Sequence, residues 1–179
     1  MASIITATTT SGLTQSADNS GVLQLASGVG NLVTIPAVTG TAMVSGNMPA
    51  FSAIPNATQS ITVGVTTKVL FQTETFDTNN NFASSTFTPT VAGYYQINAI
   101  VYAAGVNTTY ARAYIYKNGT EYKAGACQAI GPSYSITISD VIYFNGSTDN
   151  VEVYTFMGGN ETLNSPSLSA FSGVLVRAA

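Results

Sequence analysis

From Tyr95 to Ala103 every second residue is apolar: Tyr95, Ile97, Ala99, Val101 and Ala103. A period of two is strand geometry, because successive side chains leave a strand on opposite faces. The intervening positions mix Gln96 and Asn98 with Tyr94, Ile100 and Tyr102. One face therefore belongs in a core, and the other is partly wet or partly covered. The same alternation returns in Ala111, Ala113 and Ile115 against Arg112, Tyr114 and Tyr116, and in Tyr134, Ile136 and Ile138 against serine and threonine. It continues through Ile142 and Phe144, with Asp140 as a polar interruption, and returns in Val151, Val153 and Thr155. Asn118-Gly119 follows one such run and is a strong hairpin signal, since a type I′ turn needs positive φ at both central residues. Asn145-Gly146 marks a second turn. Roughly eight to ten short strands with turns every ten or so residues predict a β-sandwich or jelly roll.

Composition narrows the function classes. Charged residues make up 7% of the chain, against about a quarter in an ordinary globular protein. Thr, Ser, Asn and Gly carry the polar load, and with no heptad pattern the chain reads as all-β. A net charge of −3 with five scattered cations offers no phosphate-tracking patch, so nucleic acid is not an expected partner. A surface so poor in charge is a solubility risk for a free monomer, which points to an oligomer or a larger assembly. MASIITATTTSG lacks a basic n-region, so no secretory signal is expected. No stretch approaches the ~20 apolar residues of a spanning helix. The lone Cys127 has no intrachain partner for a disulfide and reads as a small buried hydrophobe.

Two regions are expected. Residues 1–49 hold one ionisable side chain, Asp18, and glycines separate short β-competent pieces such as VLQLAS and NLVTIPAV. Each piece is too short to form a core alone. Val22, Leu23, Leu25, Leu32, Val33 and Ile35 are the candidate anchoring residues of this arm or stem. Residues 50–179 form the second region, a single domain with its own core.

The candidate sites are few. The chain has no histidine, which removes Ser-His-Asp and Cys-His catalysis and the usual zinc ligation. Asp140, Asp149 and Glu152 are the nearest thing to a catalytic carboxylate pair, and they read as solvated turn residues. Asp77 to Asn81 imitates the start of a calcium loop, but Phe82 stands where that loop needs glycine, so it reads as a turn. No catalytic, metal or cofactor site is expected, and the chain is not expected to be an enzyme. Five Asn-X-Ser/Thr sequons, at Asn56, Asn107, Asn118, Asn145 and Asn160, follow from the abundance of these residues. Ten tyrosines and no tryptophan leave two readings, a carbohydrate-binding surface and a subunit interface. Tyr94, Tyr102, Tyr114 and Tyr116, on the second faces of their strands, are the candidate interface residues.

Phe71, Asp77, Phe82, Phe87, Gly93 and Tyr95 fall in order at spacings that resemble the C1q/tumour-necrosis-factor domain. AFSA at 50–53, YKNG at 116–119 and FSGVLV at 171–176 resemble its first strand, a strand-ending turn and its last strand. The resemblance covers residues 50–176 and implies a jelly-roll β-sandwich that assembles as a homotrimer and recognises surfaces. There is no Gly-X-Y collagen stem, so the family's ion-binding positions do not transfer. ADNSGVLQLASG, residues 17–28, resembles the opening segments of tailed-bacteriophage virion proteins. Together these imply a trimeric knob held on a virion through residues 1–49, expected as a capsid decoration or cement protein. A stem of that length spans only roughly tens of ångströms, which suits a seated knob better than a projecting fibre. The alternatives are a tail-fibre or receptor-binding tip that takes host-surface carbohydrate, and a secreted recognition module.

Overall fold

The computed structural model describes residues 23–26, 32–35, 48–105, 110–127, 133–159, 161–163 and 168–179, with the backbone alone at 23–26, 32–35, 105, 126, 127, 161 and 162. The chain divides into two units, Met1–Thr41 and Ala42–Ala179. In the first, β1 (Leu23–Ala26) and β2 (Leu32–Ile35) pair antiparallel, with Leu23 opposite Ile35 and Leu25 opposite Val33. These are two of the short β-competent pieces read from the sequence. Val22 and the other pieces lie outside the described residues.

The second unit is a two-sheet sandwich whose described residues contain no helix. Its first strands are β3 (Ala50–Ile54), β4 (Gln59–Ile61), β5 (Thr67–Lys68), β6 (Thr73–Asp77), β7 (Phe82–Ala83) and β8 (Thr86–Phe87). The longer strands follow: β9 (Gly93–Gly105), β10 (Ala111–Lys117), β11 (Thr120–Cys127), β12 (Ser133–Phe144) and β13 (Val151–Met157). The short β14 (Glu161–Leu163) and β15 (Ala170–Ala178) complete the unit. One sheet runs β4-β14-β9-β15-β3-β6, with β12 on the other edge of β9. The other runs β11-β10-β13-β8-β7, with β5 also on β13. Every pairing is antiparallel. Strand β9 organises the first sheet: β12 pairs along nearly all of it, and β15 and β14 share its opposite edge.

The expected alternation is what the core uses. Tyr95, Ile97, Ala99, Val101 and Ala103 are fully buried, as are Ala111, Ala113 and Ile115 on β10 and Val151, Val153 and Thr155 on β13. Thr155 enters the core because its hydroxyl donates to the Arg112 carbonyl at 2.9 Å, which satisfies the one polar atom it brings. Six of the eight phenylalanines lie between the sheets. Phe51 stacks on Phe87 at 4.2 Å and on Phe82 at 4.9 Å, and meets Phe171 edge-on at 4.9 Å. Tyr95 bridges Phe87 and Phe144, and its hydroxyl donates to the Val91 carbonyl at 2.7 Å. Burial pushes the pKa of Tyr95 up to about 12. The aromatic spacing seen in the sequence is therefore the spacing of one cluster. Gly93 belongs to the same arrangement, since a Cβ there would strike the Arg177 carbonyl and the Leu175 side chain of β15.

The turns follow the sequence as well. Asn118 and Gly119 both have positive φ and close the β10–β11 hairpin. Asp77 caps its own turn, accepting from Phe82 N at 2.7 Å and Asn79 N at 3.2 Å. The Asn145-Gly146 turn carries the chain from β12 in one sheet to β13 in the other. There Asn145 Oδ1 accepts from the backbone N–H groups of Ser147, Thr148 and Asp149 at 3.0 Å each.

Candidate association surface

The outward face of the β12-β9-β15-β3 sheet is the least charged broad surface of the domain. Outward positions of β3, β9 and β12, and of β15 as far as its bulge after Leu175, carry no charged side chain. Many are large and apolar. Tyr94 and Ile100 on β9, Val141 and Tyr143 on β12, and Val174 on β15 are each 39–47% exposed. Phe76 on β6, opposite the outward Ser52 of β3, is 49% exposed. Tyr94 and Tyr143 pair across the strands with ring centroids 5.4 Å apart. A shallow hollow of about 260 Å³ lies near the β3 edge, with Ala50, Phe76, Asn98, Ser172 and Val174 around it. Scattered apolar residues on a surface need no explanation, but a contiguous uncharged patch marks a contact face.

The outward face of the other sheet is different. Tyr114, Tyr116, Tyr154 and Phe156 stand on β10 and β13, with Arg112, Lys68 and Glu152 among them. Tyr116 and Tyr154 lie 4.2 Å apart, Tyr114 and Tyr116 meet edge-on at 6.1 Å, and Arg112 lies over the Tyr110 ring at 4.9 Å. Lys68 Nζ donates to Glu152 Oε1 at 2.6 Å, Thr86 Oγ1 at 2.8 Å and the Ser84 carbonyl at 2.9 Å. Tyr154 donates to Glu152 Oε2 at 3.2 Å. Burial alone would raise the Glu152 pKa, but the bonds from Lys68 and Thr86 outweigh it and hold the carboxyl below its ordinary value. Burial and then the neighbouring Glu152 push the Tyr154 hydroxyl up.

The four tyrosines read from the sequence thus divide. Tyr94 and Tyr102 stand on the uncharged face, and Tyr114 and Tyr116 stand on the opposite side of the sandwich. Tyr114 is only 6% exposed, packed against Tyr116 on its own sheet. The side chains of Leu23, Leu25, Leu32, Val33 and Ile35, and all of Val22, lie outside the described residues. The sequence reading passed over Val141, Tyr143 and Val174. For the two on β12 the signal was present, since Val141 and Tyr143 follow four small polar residues, Ser133, Ser135, Thr137 and Ser139, on the same face.

The carboxylates do not converge. Asp140 and Glu152 are strand residues, as the alternation around them indicated, and not solvated turn residues; Asp149 alone lies between strands. Each has its own lysine: Lys123–Asp140 at 2.9 Å, Lys117–Asp149 at 3.0 Å and Lys68–Glu152. Among the described residues no group of three or more Asp, Glu, Cys or His side chains is placed to hold a metal ion, and no helix is long and apolar enough to cross a membrane.

No family model matches the chain, and no curated protein matches it in sequence. Solved structures do. The globular domain of zebrafish complement 1qA superposes with a TM-score of 0.58 at 19% identity, covering 73% of this chain and 99% of that one. Murine APRIL at pH 8.0 gives 0.59 at 12% identity over 72% and 99%. Eiger TNF from S. frugiperda gives 0.58 at 9% identity over 74% and 93%. The fold is the C1q/TNF-like jelly roll. The resemblance read from Phe71, Phe82, Phe87, Gly93 and Tyr95 is one of fold, and the spacing that carried it is that of the aromatic core.

Proposed function

We propose that this chain is a non-enzymatic structural module, a homotrimer formed through the uncharged outer face of β9, β12, β15 and β3 and held on a larger particle by residues 1–49. The single observation that carries the reading is that face, contiguous, charged only at its end by Arg177 opposite Tyr94, and studded with half-exposed Tyr, Ile and Val. Association buries such surface at about 25 cal/mol per Å² of apolar area removed from water. The absence of histidine from the sequence and the engagement of the three carboxylates with lysines support a role without chemistry.

The particle proposed is a bacteriophage virion, with the module as a capsid decoration or cement protein. Two features support this: the resemblance of residues 17–28 to virion proteins, and the near absence of charge in residues 1–49. Light scattering on the full chain tests the trimer, with an expected mass three times 18.5 kDa; a monomer at micromolar concentration overturns it. Removing residues 1–49 is expected to abolish particle binding, and retained decoration overturns the anchoring role.

A second reading, a tail-fibre tip or secreted module that takes host-surface carbohydrate, is favoured by the aromatic tract of Tyr110, Tyr116, Tyr154 and Phe156. Micromolar binding on a glycan array, lost in Tyr116→Ala, is the outcome that selects it.

A further inference from the structure

We propose that the side-chain amides of Gln96 and Asn98 are the register lock of the association face, with Asn98 Nδ2 of one copy donating to Gln96 Oε1 of the next around a closed ring. The inference rests on the trimer reading above and names the contact that makes that trimer unique.

Both residues stand outward at the middle of β9, the central strand of the face. Successive rows across the sheet alternate in character. Tyr143, Tyr94 and Arg177 form one row, and Val141, Gln96 and Val174 the next. Ser139, Asn98, Ser172 and Ser52 form a third, wholly polar row. Beyond it Thr137, Ile100 and Ala170 return to a mixed, largely apolar surface. The amides therefore sit inside the patch, with apolar residues on either side along the strand.

Within the chain the pair is half-satisfied. Gln96 Nε2 donates to Asn98 Oδ1 at 3.2 Å and points at the carbonyls of Ile97 and Asp140 at 3.4 Å each. That uses the donor side of one amide and the acceptor of the other. Among the described residues Asn98 Nδ2 and Gln96 Oε1 have no partner, so one donor group and one acceptor face outward from each copy. Water serves both in a single chain. When the face is covered they lose that water, and a buried amide group left unpaired is costly.

The remaining donor and acceptor match each other, which commits the occupant to a second copy. A charged partner would call for charges beside the amides, and the only charge on this face is Arg177 at its end, opposite Tyr94. Under a cyclic operator each copy gives to one neighbour and receives from the other, so the ring closes with no group left over. Apolar side chains do not resist sliding, because a shift of two residues along β9 still sets Tyr, Val and Ile against similar groups. Such a shift strands the amides, and a lone polar pair in an apolar seam is a known way to fix register and copy number.

The test exploits the asymmetry between losing one partner and losing both, and runs on the full chain by native mass spectrometry and dilution. Asn98→Ala removes the donor and leaves Gln96 Oε1 stranded, so trimer dissociation is expected to begin at a concentration at least tenfold higher than in the native chain. Gln96→Leu with Asn98→Leu removes both groups. This pair is expected to associate at least as tightly as the native chain but to spread over dimers and species larger than a trimer. Both positions point outward, and an unchanged thermal midpoint of the diluted monomer confirms that the fold is intact. A single, equally stable trimer in both variants overturns the register lock while leaving the trimer standing. A native chain that stays monomeric overturns the trimer reading itself.

Discussion

Phe87 shows how much of this molecule is set by single residues. Its side chain is fully buried, stacked on Phe51 at 4.2 Å and in edge contact with Tyr95 and Phe144 at 5.7 and 6.3 Å. Strands β3, β8, β9 and β12 thus meet at one ring. Phe87→Ala removes most of those contacts and leaves a cavity that two sheets cannot close without moving apart. The expected loss is about 3–5 kcal/mol of unfolding free energy, measured by denaturant titration. Tyr95→Phe is the milder neighbour, since only the bond to the Val91 carbonyl goes. At this scale the sequence was most legible. The alternation named the buried half of β9, β10 and β13, and the aromatic spacing named the centre of the core. Burial depends on pattern, and pattern is local.

Pairing between elements was less legible, because it depends on which strands become neighbours. Asp140 looked like a blemish in the inward face of β12. In the structure it reaches Lys123 of β11, so the pair links an edge strand of one sheet to an edge strand of the other. Lys117, on the interior strand β10, also reaches β12, donating to the Tyr143 carbonyl at 2.8 Å beside its pair with Asp149. The Lys123 bond is the leading cause that lowers the Asp140 pKa, and the bonds from Asn118 and then Lys117 lower that of Asp149. A carboxylate with a depressed folded pKa adds stability above its unfolded pKa and loses it as pH falls through the folded one. The thermal midpoint is therefore expected to hold from pH 7 to about 5 and then to fall below roughly pH 4, the ordinary carboxylate range. Lys123→Met removes one of these terms, so its midpoint should fall less steeply over the same acid range in calorimetry. A variant as acid-sensitive as the native chain would show that Asp140 contributes nothing to that slope. No residue spacing announces such pairs, since Lys123 and Asp140 meet only because β11 and β12 pack together.

At the scale of the whole molecule, composition said that surface had to be hidden, and only the fold says which surface. The four tyrosines chosen from their alternate positions fall on two opposed faces, because alternation gives the side of a strand and not the sheet the strand joins. Strands β9 and β10 are nearly consecutive in the chain and yet belong to different sheets. Their outward tyrosines therefore point away from each other. Ile100 separates the two faces as candidates for self-association. It is 39% exposed on the outward face of β9, between Thr137 and Ala170, and it lies outside the buried core cluster. A lysine there remains solvated in a monomer, but in the proposed trimer it loses water with no carboxylate on that face to meet it. A buried unpaired charge costs several kcal/mol, enough to dissociate an assembly of micromolar affinity. Ile100→Lys is expected to elute as a folded monomer in light scattering, with the native thermal midpoint of the isolated domain. Tyr116→Lys, on the aromatic face, is expected to leave the trimer intact. The reverse pair of results would move the interface to the other sheet.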